Sequence, residues 1–305
     1  MRYSDEEEKM KIKEAKSTIV FNSISYVLLA VVSLICVLPF VIILSGSFTN
    51  NETILTQGYS ILPRDITLEA YKTIFRFPKG ILQAYKMTIF YTAIGTLVGL
   101  LLIAMTAYVI SRKEFKYRNR ISFLIYFTSI FGGGLIPWYL MYSSVLNLKG
   151  STFVIWFPAI MSPFLIILMR TFITDSVPNA LTEAAKLDGA GHVTIFLRVV
   201  MPIIKPALAT VGLFLALGFW NDWYRSSMFS TDSSTWELQF YLYDMLNSST
   251  AVQQMSSGSG TATADIPGES VKLAMAVVTT GPILLLYPFV QKYFVSGITI
   301  GAVKG

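Results

Sequence analysis

Residues Asn179 to Pro206, NALTEAAKLDGAGHVTIFLRVVMPIIKP, lie between two long apolar runs yet carry Glu183, Lys186, Asp188, His192, Arg198 and Lys205. Leu181, Ala184, Ala185 and Leu187 give a small-residue face on a short helix there, where a partner protein could approach closely. The charged residues form no catalytic set, because the chain has a single histidine, His192, and few carboxylates within its apolar runs. A second cluster, Trp220-Asn221-Asp222-Trp223-Tyr224, closes the next apolar run. Asn and Asp are costly in lipid, so Trp220, Asn221 and Asp222 are expected to face protein or a polar path. Aromatic rings beside a carboxamide suit a hydroxyl-rich ligand, and a structural polar contact at the end of a span accounts for the same residues equally well. A third cluster, Trp138, Tyr139 and Tyr142, follows the run Phe131-Gly132-Gly133-Gly134-Leu135-Ile136-Pro137. Its rings suit stacking on sugar C–H faces, and they suit an interfacial aromatic belt.

Other chemistry is excluded by what is missing. No G-x-x-x-x-G-K-[ST], G-x-S-x-G, H-E-x-x-H or C-x-x-C string occurs. The lone cysteine, Cys36, sits inside an apolar run, so neither a disulfide framework nor a thiolate metal site is available. The chain is therefore expected to be no enzyme, to hold no metal, and to bind no cofactor of its own.

The elements that must position these clusters are membrane spans. The chain of 305 residues has a mean hydropathy of +0.58 and only 14% charged residues, against about 25% in a soluble domain. Apolar runs near 19–45, 84–110, 120–145, 151–173, 203–224 and 271–294 are each long enough to cross about 30 Å at 1.5 Å per residue. The expected fold class is all-α, a polytopic membrane protein with six transmembrane helices. Residues 1–18 form a charged N-terminal segment, 19–294 the transmembrane domain, and 295–305 a tail. The apolar run after residue 18 is too long for a cleavable signal. The fourth span is interrupted by Pro158 and Pro163, and the third by its three glycines, which weaken or bend a helix. Gly95 and Gly99 give the second span a G-x-x-x-G spacing, which permits close helix approach and is expected to serve packing within the subunit. Between the fourth and fifth spans, 176–202 read as a helix-turn-helix. Ser176 is a possible N-cap and Pro178 lies near the first turn. Asp188-Gly189 ends the first helix, and a second helix, His192 to Val200, runs into Pro202 and stops.

Lysine and arginine set the orientation. Sixteen of the 24 lie in the N-terminal segment, the loop Arg112–Arg120, the 176–202 region with its flanks, and the tail; six lie in the alternate connections. Positive charge favours the cytoplasm, which places both termini and the 176–202 loop inside the cell. The net charge of +6 does not indicate nucleic acid, because the basic residues cluster beside spans. The basic N-terminal segment can touch anionic membrane lipid. Residues 225–270 become the largest external loop, with a Ser/Gly/Thr-rich second half of flexible composition.

Glu183, Ala184 and Ala185, then Gly189, and later Val199 and Met201-Pro202, resemble the E-A-A loop of ABC-importer permeases, with its E-A-A, three residues, Gly, and I-x-L-P ending. Val199 and Met201 stand where that pattern has Ile and Leu. The tail from Gln291, QKYFVSGITIGAVKG, is similar to the C-terminus of maltose-type carbohydrate permeases. The G-G-L-I-P run resembles the branch importing complex oligosaccharides and polysaccharides. The resemblance implies a type I importer permease whose coupling loop, with Glu183, Ala184, Ala185, Asp188, Gly189 and Pro202, docks in an ATPase subunit. It implies a tail contact with the ATPase through Gly301 and Lys304. It implies a substrate path near Trp138, Tyr139, Tyr142, Trp220, Asn221 and Asp222. The implied partners are a second homologous permease, an ATPase dimer that holds the ATP and Mg, and an extracellular, lipid-anchored solute-binding protein facing the 225–270 loop, with Trp236, Tyr241 and Tyr243 as contacts. The implied location is a bacterial plasma membrane. The competing function, an ion- or proton-coupled secondary sugar transporter, normally shows internal repeats and mid-membrane charges, and neither is evident here.

Overall fold

A computed structural model describes residues 16–76, 78–259 and 268–284, without the side chains of 16, 17, 19 and 249–259. The expected N-terminal charges before Lys16, the Gly301 and Lys304 contacts, and the end of the sixth span lie outside the described residues. Among those described, the secondary structure is helical, with one isolated bridge between Thr49 and Ile66.

The described residues up to 71, with 268–277, make one compact unit. Helix α1, Lys16–Ser47, is apolar on every side and exposes most of its length. In water that would be costly; against lipid or another membrane subunit it is not. The short α2, Asn51–Gln57, is capped by Asn50, whose side chain accepts from the Glu52 amide at 2.9 Å. Thr53 donates to Asp65 at 2.7 Å and ties α2 to the following turn. Ser47 and Tyr71 share a hydrogen bond of 2.8 Å.

The described residues from 72 to 259, with 278–284, make the other unit. The helix α3, Glu69–Arg76, leads into α4, Pro78–Ser111, the long helix on which this unit is built. The spans that follow are mostly broken. Arg118–Ile130 (α5) and Leu135–Leu140 (α6), extended by a wide turn to Val145, meet at 112°. The glycines Gly132 to Gly134 sit at that corner, and Gly134 has φ +85°, a conformation that glycine adopts freely. Phe153–Trp156 (α7), with a tight turn through Ala159, meets Pro163–Ser176 (α8) at 44° across the expected proline interruption.

Next come α9, Asn179–Leu187; α10, His192–Ile195; α11, Met201–Ile203; and α12, Lys205–Trp220. Two helices then occupy the stretch read as an external loop, of which only 256–264 was read as flexible in composition: α13, Tyr224–Phe229, and α14, Leu238–Ser259. Composition misled there, because apolar residues between 238 and 246 anchor the start of α14. Its end runs into Ser256–Ser259, where the Ser/Gly-rich stretch begins; 260–267 lie outside the described residues. A last helix, α15, covers 269–284.

The core of the larger unit is a seam between α4, α8 and α12, with Ile103, Ala107, Met169, Ile173 and Val211 essentially without solvent contact. Gly95 and Gly99 explain how closely the helices approach. A Cβ on Gly95 would lie 2.4 Å from the Phe219 ring, and one on Gly99 would lie 2.9 Å from the Ile160 carbonyl oxygen. The G-x-x-x-G spacing therefore serves packing inside the chain.

Candidate functional site

The segment 176–202, expected to dock a partner, is built around α9. The backbone is extended at Val177 and Pro178, so α8 ends at Ser176 and α9 begins at Asn179. Ser176 is thus the last residue of α8 and not the N-cap of α9. A residue before proline is pushed out of the helical region, which separates the two helices. At the other end, Ala190 N–H bonds to Ala185 O at 2.9 Å and Gly189 N–H to Lys186 O at 2.9 Å. That is the Schellman pattern, and Gly189 supplies its left-handed residue with φ +81°. A Cβ there would meet nothing within 4 Å, so glycine is required by backbone conformation and not by crowding.

α9 turns two faces to different tasks. Thr182 is buried and Ala185 packs against the core. Glu183, Ala184, Asp188 and Gly189 are exposed, and neither carboxylate makes an ion pair with a described residue. Leu187 at the tip is 89% exposed. The tip is thus apolar and flanked by two carboxylates that have no ion pair among the described residues.

Two side chains from the end of α4 hold this knob. Arg112 is buried; its Nη1 donates to Thr182 Oγ1 at 3.2 Å and its Nε to Ser111 Oγ at 3.2 Å, while the guanidinium lies 5.0 Å from the Tyr108 ring centroid. Thr182 in turn donates to Asn179 O at 2.8 Å. Lys186 makes an ion pair with Glu114, and the lysine's hydrogen bond holds the Glu114 carboxyl below the usual carboxylate range. Arg112, Glu114 and Thr182 were not singled out from sequence. Arg112 counted only toward the basic loop, and no local pattern announces a contact across 70 residues.

The second half of the loop does not stop at Pro202. From His192 the chain winds through α10, one wide turn at Phe196–Val200, and α11, which contains Pro202. Proline lacks the N–H that would bond back four residues, and the wide turn takes up that mismatch immediately before it. The turn to α12 comes at Ile204, where the two helical stretches meet at 84°. Pro202 itself is exposed.

At the far end of α12, about 24 Å away along its axis, the aromatic and polar residues divide. Trp220 is buried and its indole N–H donates to Thr279 O at 3.4 Å. Asn221 is exposed; its amide donates to Leu217 O at 3.0 Å and accepts from Gln239 at 3.4 Å. Asp222 pairs with Arg225 at 3.1 Å, and Arg225 Nε also donates to Ile155 O at 2.6 Å. Trp138, Tyr139 and Tyr142 gather around the fully buried Phe229, with ring centroids at 4.9, 5.6 and 6.0 Å. Much of their ring surface is therefore used within the chain.

Below them Glu237 is buried and accepts a hydrogen bond from Ser226. Burial, with the Asp222 carboxylate adding to it, pushes the Glu237 carboxyl up to about 8; the Ser226 hydroxyl and Arg225 oppose the shift. Leu238 N–H donates to Thr88 Oγ1 at 2.8 Å, which fixes the start of α14 on α4. Among the described residues no group of three or more His, Cys, Asp or Glu could hold a metal ion.

Comparison with known proteins places this geometry. Residues 99–300 match the family described as binding-protein-dependent transport system inner membrane component. The polygalacturonan/rhamnogalacturonan transport system permease protein YtcP of Bacillus subtilis (strain 168) is 35% identical over 93% of this chain and 98% of its own. The trehalose/maltose transport system permease protein MalG of Thermococcus litoralis is 28% identical over 90% of this chain and 93% of its own. A crystal structure of a bacterial ABC transporter involved in the import of the acidic polysaccharide alginate contains a chain that superimposes with a TM-score of 0.78. It is 31% identical and covers 92% of this chain and 98% of that one. The ion- or proton-coupled alternative is not favoured by these relatives. This all-α chain, with the exposed helix α9 between broken spans, belongs to the binding-protein-dependent transport system inner membrane components: it is a sugar permease of the ABC-importer type, and not an enzyme.

Proposed function

We propose that this permease forms half of a translocation pathway for an acidic oligosaccharide, working with a second homologous permease, an ATPase dimer and an extracellular, lipid-anchored solute-binding protein. The chain is the permease subunit of an ATP-driven importer whose cargo is an oligosaccharide brought by that binding protein. The observation that carries the coupling reading is α9: Leu187, Glu183, Ala184, Asp188 and Gly189 stand exposed on a helix braced by Arg112 and Glu114. Such a knob can receive force, because its inner face is fixed by a buried guanidinium, with an exposed ion pair beside it. ATP and Mg belong to the ATPase, whose closure would move the knob and rock the spans. The positive-inside distribution supports a cytoplasmic α9 and cytoplasmic termini. The apolar flanks of α1 and α5, with Phe123, Phe127 and Phe131 exposed in a row, suit lipid and the second permease. The acidic cargo is supported by relatives that handle polygalacturonan/rhamnogalacturonan and alginate.

Co-purification with the ATPase and uptake in cells test this reading together. Glu183→Lys and Gly189→Trp are expected to reduce both by ten-fold or more, since one reverses a charge on the knob and the other both strains the left-handed residue that ends α9 and fills the open space beside it. Normal ATPase recovery and uptake in both variants would sink it.

A further inference from the structure

Around the outer end of α12, five aromatic rings from three separate stretches touch in succession. Phe240 lies 6.1 Å from Tyr243, Tyr243 stacks on Trp223 at 4.4 Å, Trp223 meets Tyr224 edge-on at 5.7 Å, and Tyr224 stacks on Trp138 at 6.3 Å. The three in the middle are not buried: Tyr243, Trp223 and Tyr224 are 40%, 39% and 36% exposed. Beside them the exposed Asn221 uses one N–H on Leu217 O and one oxygen lone pair on Gln239. A carboxamide has two of each, so one donor and one acceptor remain. Flat apolar rings next to a free donor and acceptor complement a pyranose, which has an apolar C–H face and a rim of hydroxyls.

Resting on the sugar-permease reading, we propose that Tyr243, Trp223 and Tyr224, extended by Phe240 and Trp138, form a glycan track along which successive sugar rings of one oligosaccharide lie, with Asn221 pairing a hydroxyl at its middle. Two features set the track apart from an interfacial belt. Its rings are linked end to end across α6, the segment after α12, and α14, and its centre is flanked by a hydrogen-bonding amide. A row of contacts has a consequence that a single contact lacks, because it rewards cargo long enough to cover several rings. Trp220 takes no part, being buried.

The test uses the whole importer in proteoliposomes with the binding protein outside, and compares uptake of the shortest accepted oligosaccharide with that of longer members of the same series. Trp223→Ala and Tyr243→Ala are expected to slow uptake of the longer cargo about ten-fold, the scale of one lost aromatic contact, and to slow the shortest less than two-fold. Trp223→Phe is expected to retain most of the activity. Assembly is checked by co-purification, and Tyr243→Ala, at an exposed position, serves if Trp223→Ala fails to assemble. Equal losses at every length, or no loss, would overturn the track. Loss of ATPase stimulation by the loaded binding protein in Trp223→Ala would overturn it also, marking the rings as a protein-docking surface. A wild-type complex that moves no glycan at any length would overturn the permease reading beneath it.

Discussion

Arg112 joins two helices that are distant in sequence, and its removal would be felt in coupling before it is felt in folding. A hydrogen bond to a charged group contributes about 1.5–3 kcal/mol, and Arg112→Ala loses its bond to Thr182 together with the packing of the guanidinium on Tyr108. The expected result is an assembled complex whose ATPase responds weakly to loaded binding protein, with partial recovery in Arg112→Lys. For the exposed pair, Glu114→Lys and Lys186→Glu are each expected to reduce coupling, and the double exchange to restore it; a double variant no better than either single one would show that the pair does not orient α9. Glu237 makes a prediction in pH. Its carboxyl is raised from 4.5 to about 8 by burial, so the folded state binds the proton more tightly than the unfolded chain. The associated stability is present below about pH 4.5 and is lost as pH rises toward 8. Thermal unfolding in detergent should thus shift downward between pH 5 and 8, and Glu237→Gln should flatten that slope. The helix carrying Glu183 and its end at Gly189 were legible because their spacing is local. Arg112 and Glu114 were not, since their meaning lies in tertiary contacts with Thr182 and Lys186.

Elements were read better than their ends. The apolar runs located the helices, and the glycine and proline clusters located their breaks, because a helix fails for reasons written in a few adjacent residues. The size of the 112° turn after Ile130 was not readable, nor was the continuation of helix past Pro202, since a wide turn at Phe196–Val200 accommodates the proline. α14 was missed for a different reason: its first turns are anchored by packing and by the Thr88 hydroxyl, while its end lies in residues that by composition favour flexibility. The seam between α4 and α12 gives an element-scale prediction. Gly99→Leu would drive a side chain against the Ile160 carbonyl and should destabilise the unit by about 1–3 kcal/mol, as overpacking does. Gly95→Ala should cost less, since the Phe219 ring can shift where a backbone carbonyl cannot. A lower unfolding temperature for Gly99→Leu than for Gly95→Ala would bear this out, and the reverse order would refute it.

At the scale of the whole molecule, the chain carries the exposed helix α9 at one end of α12 and an aromatic surface at the other. Cargo class is the property the fold constrains least; binding-protein affinity across neutral and uronate-bearing oligosaccharides is expected to favour the latter, and a preference for neutral sugars would move the assignment to another branch. The 84° corner at Ile204 then carries a mechanical meaning. A straight rod pushed at its tip only slides along its axis. A rod with a stiff right-angled crank swings, so a short sideways shove delivered beside the membrane becomes a tilt of the far end, where the glycan-facing rings sit. Softening that crank, for instance with glycine at Ile204, should leave ATP turnover running while its work fails to reach the sugar.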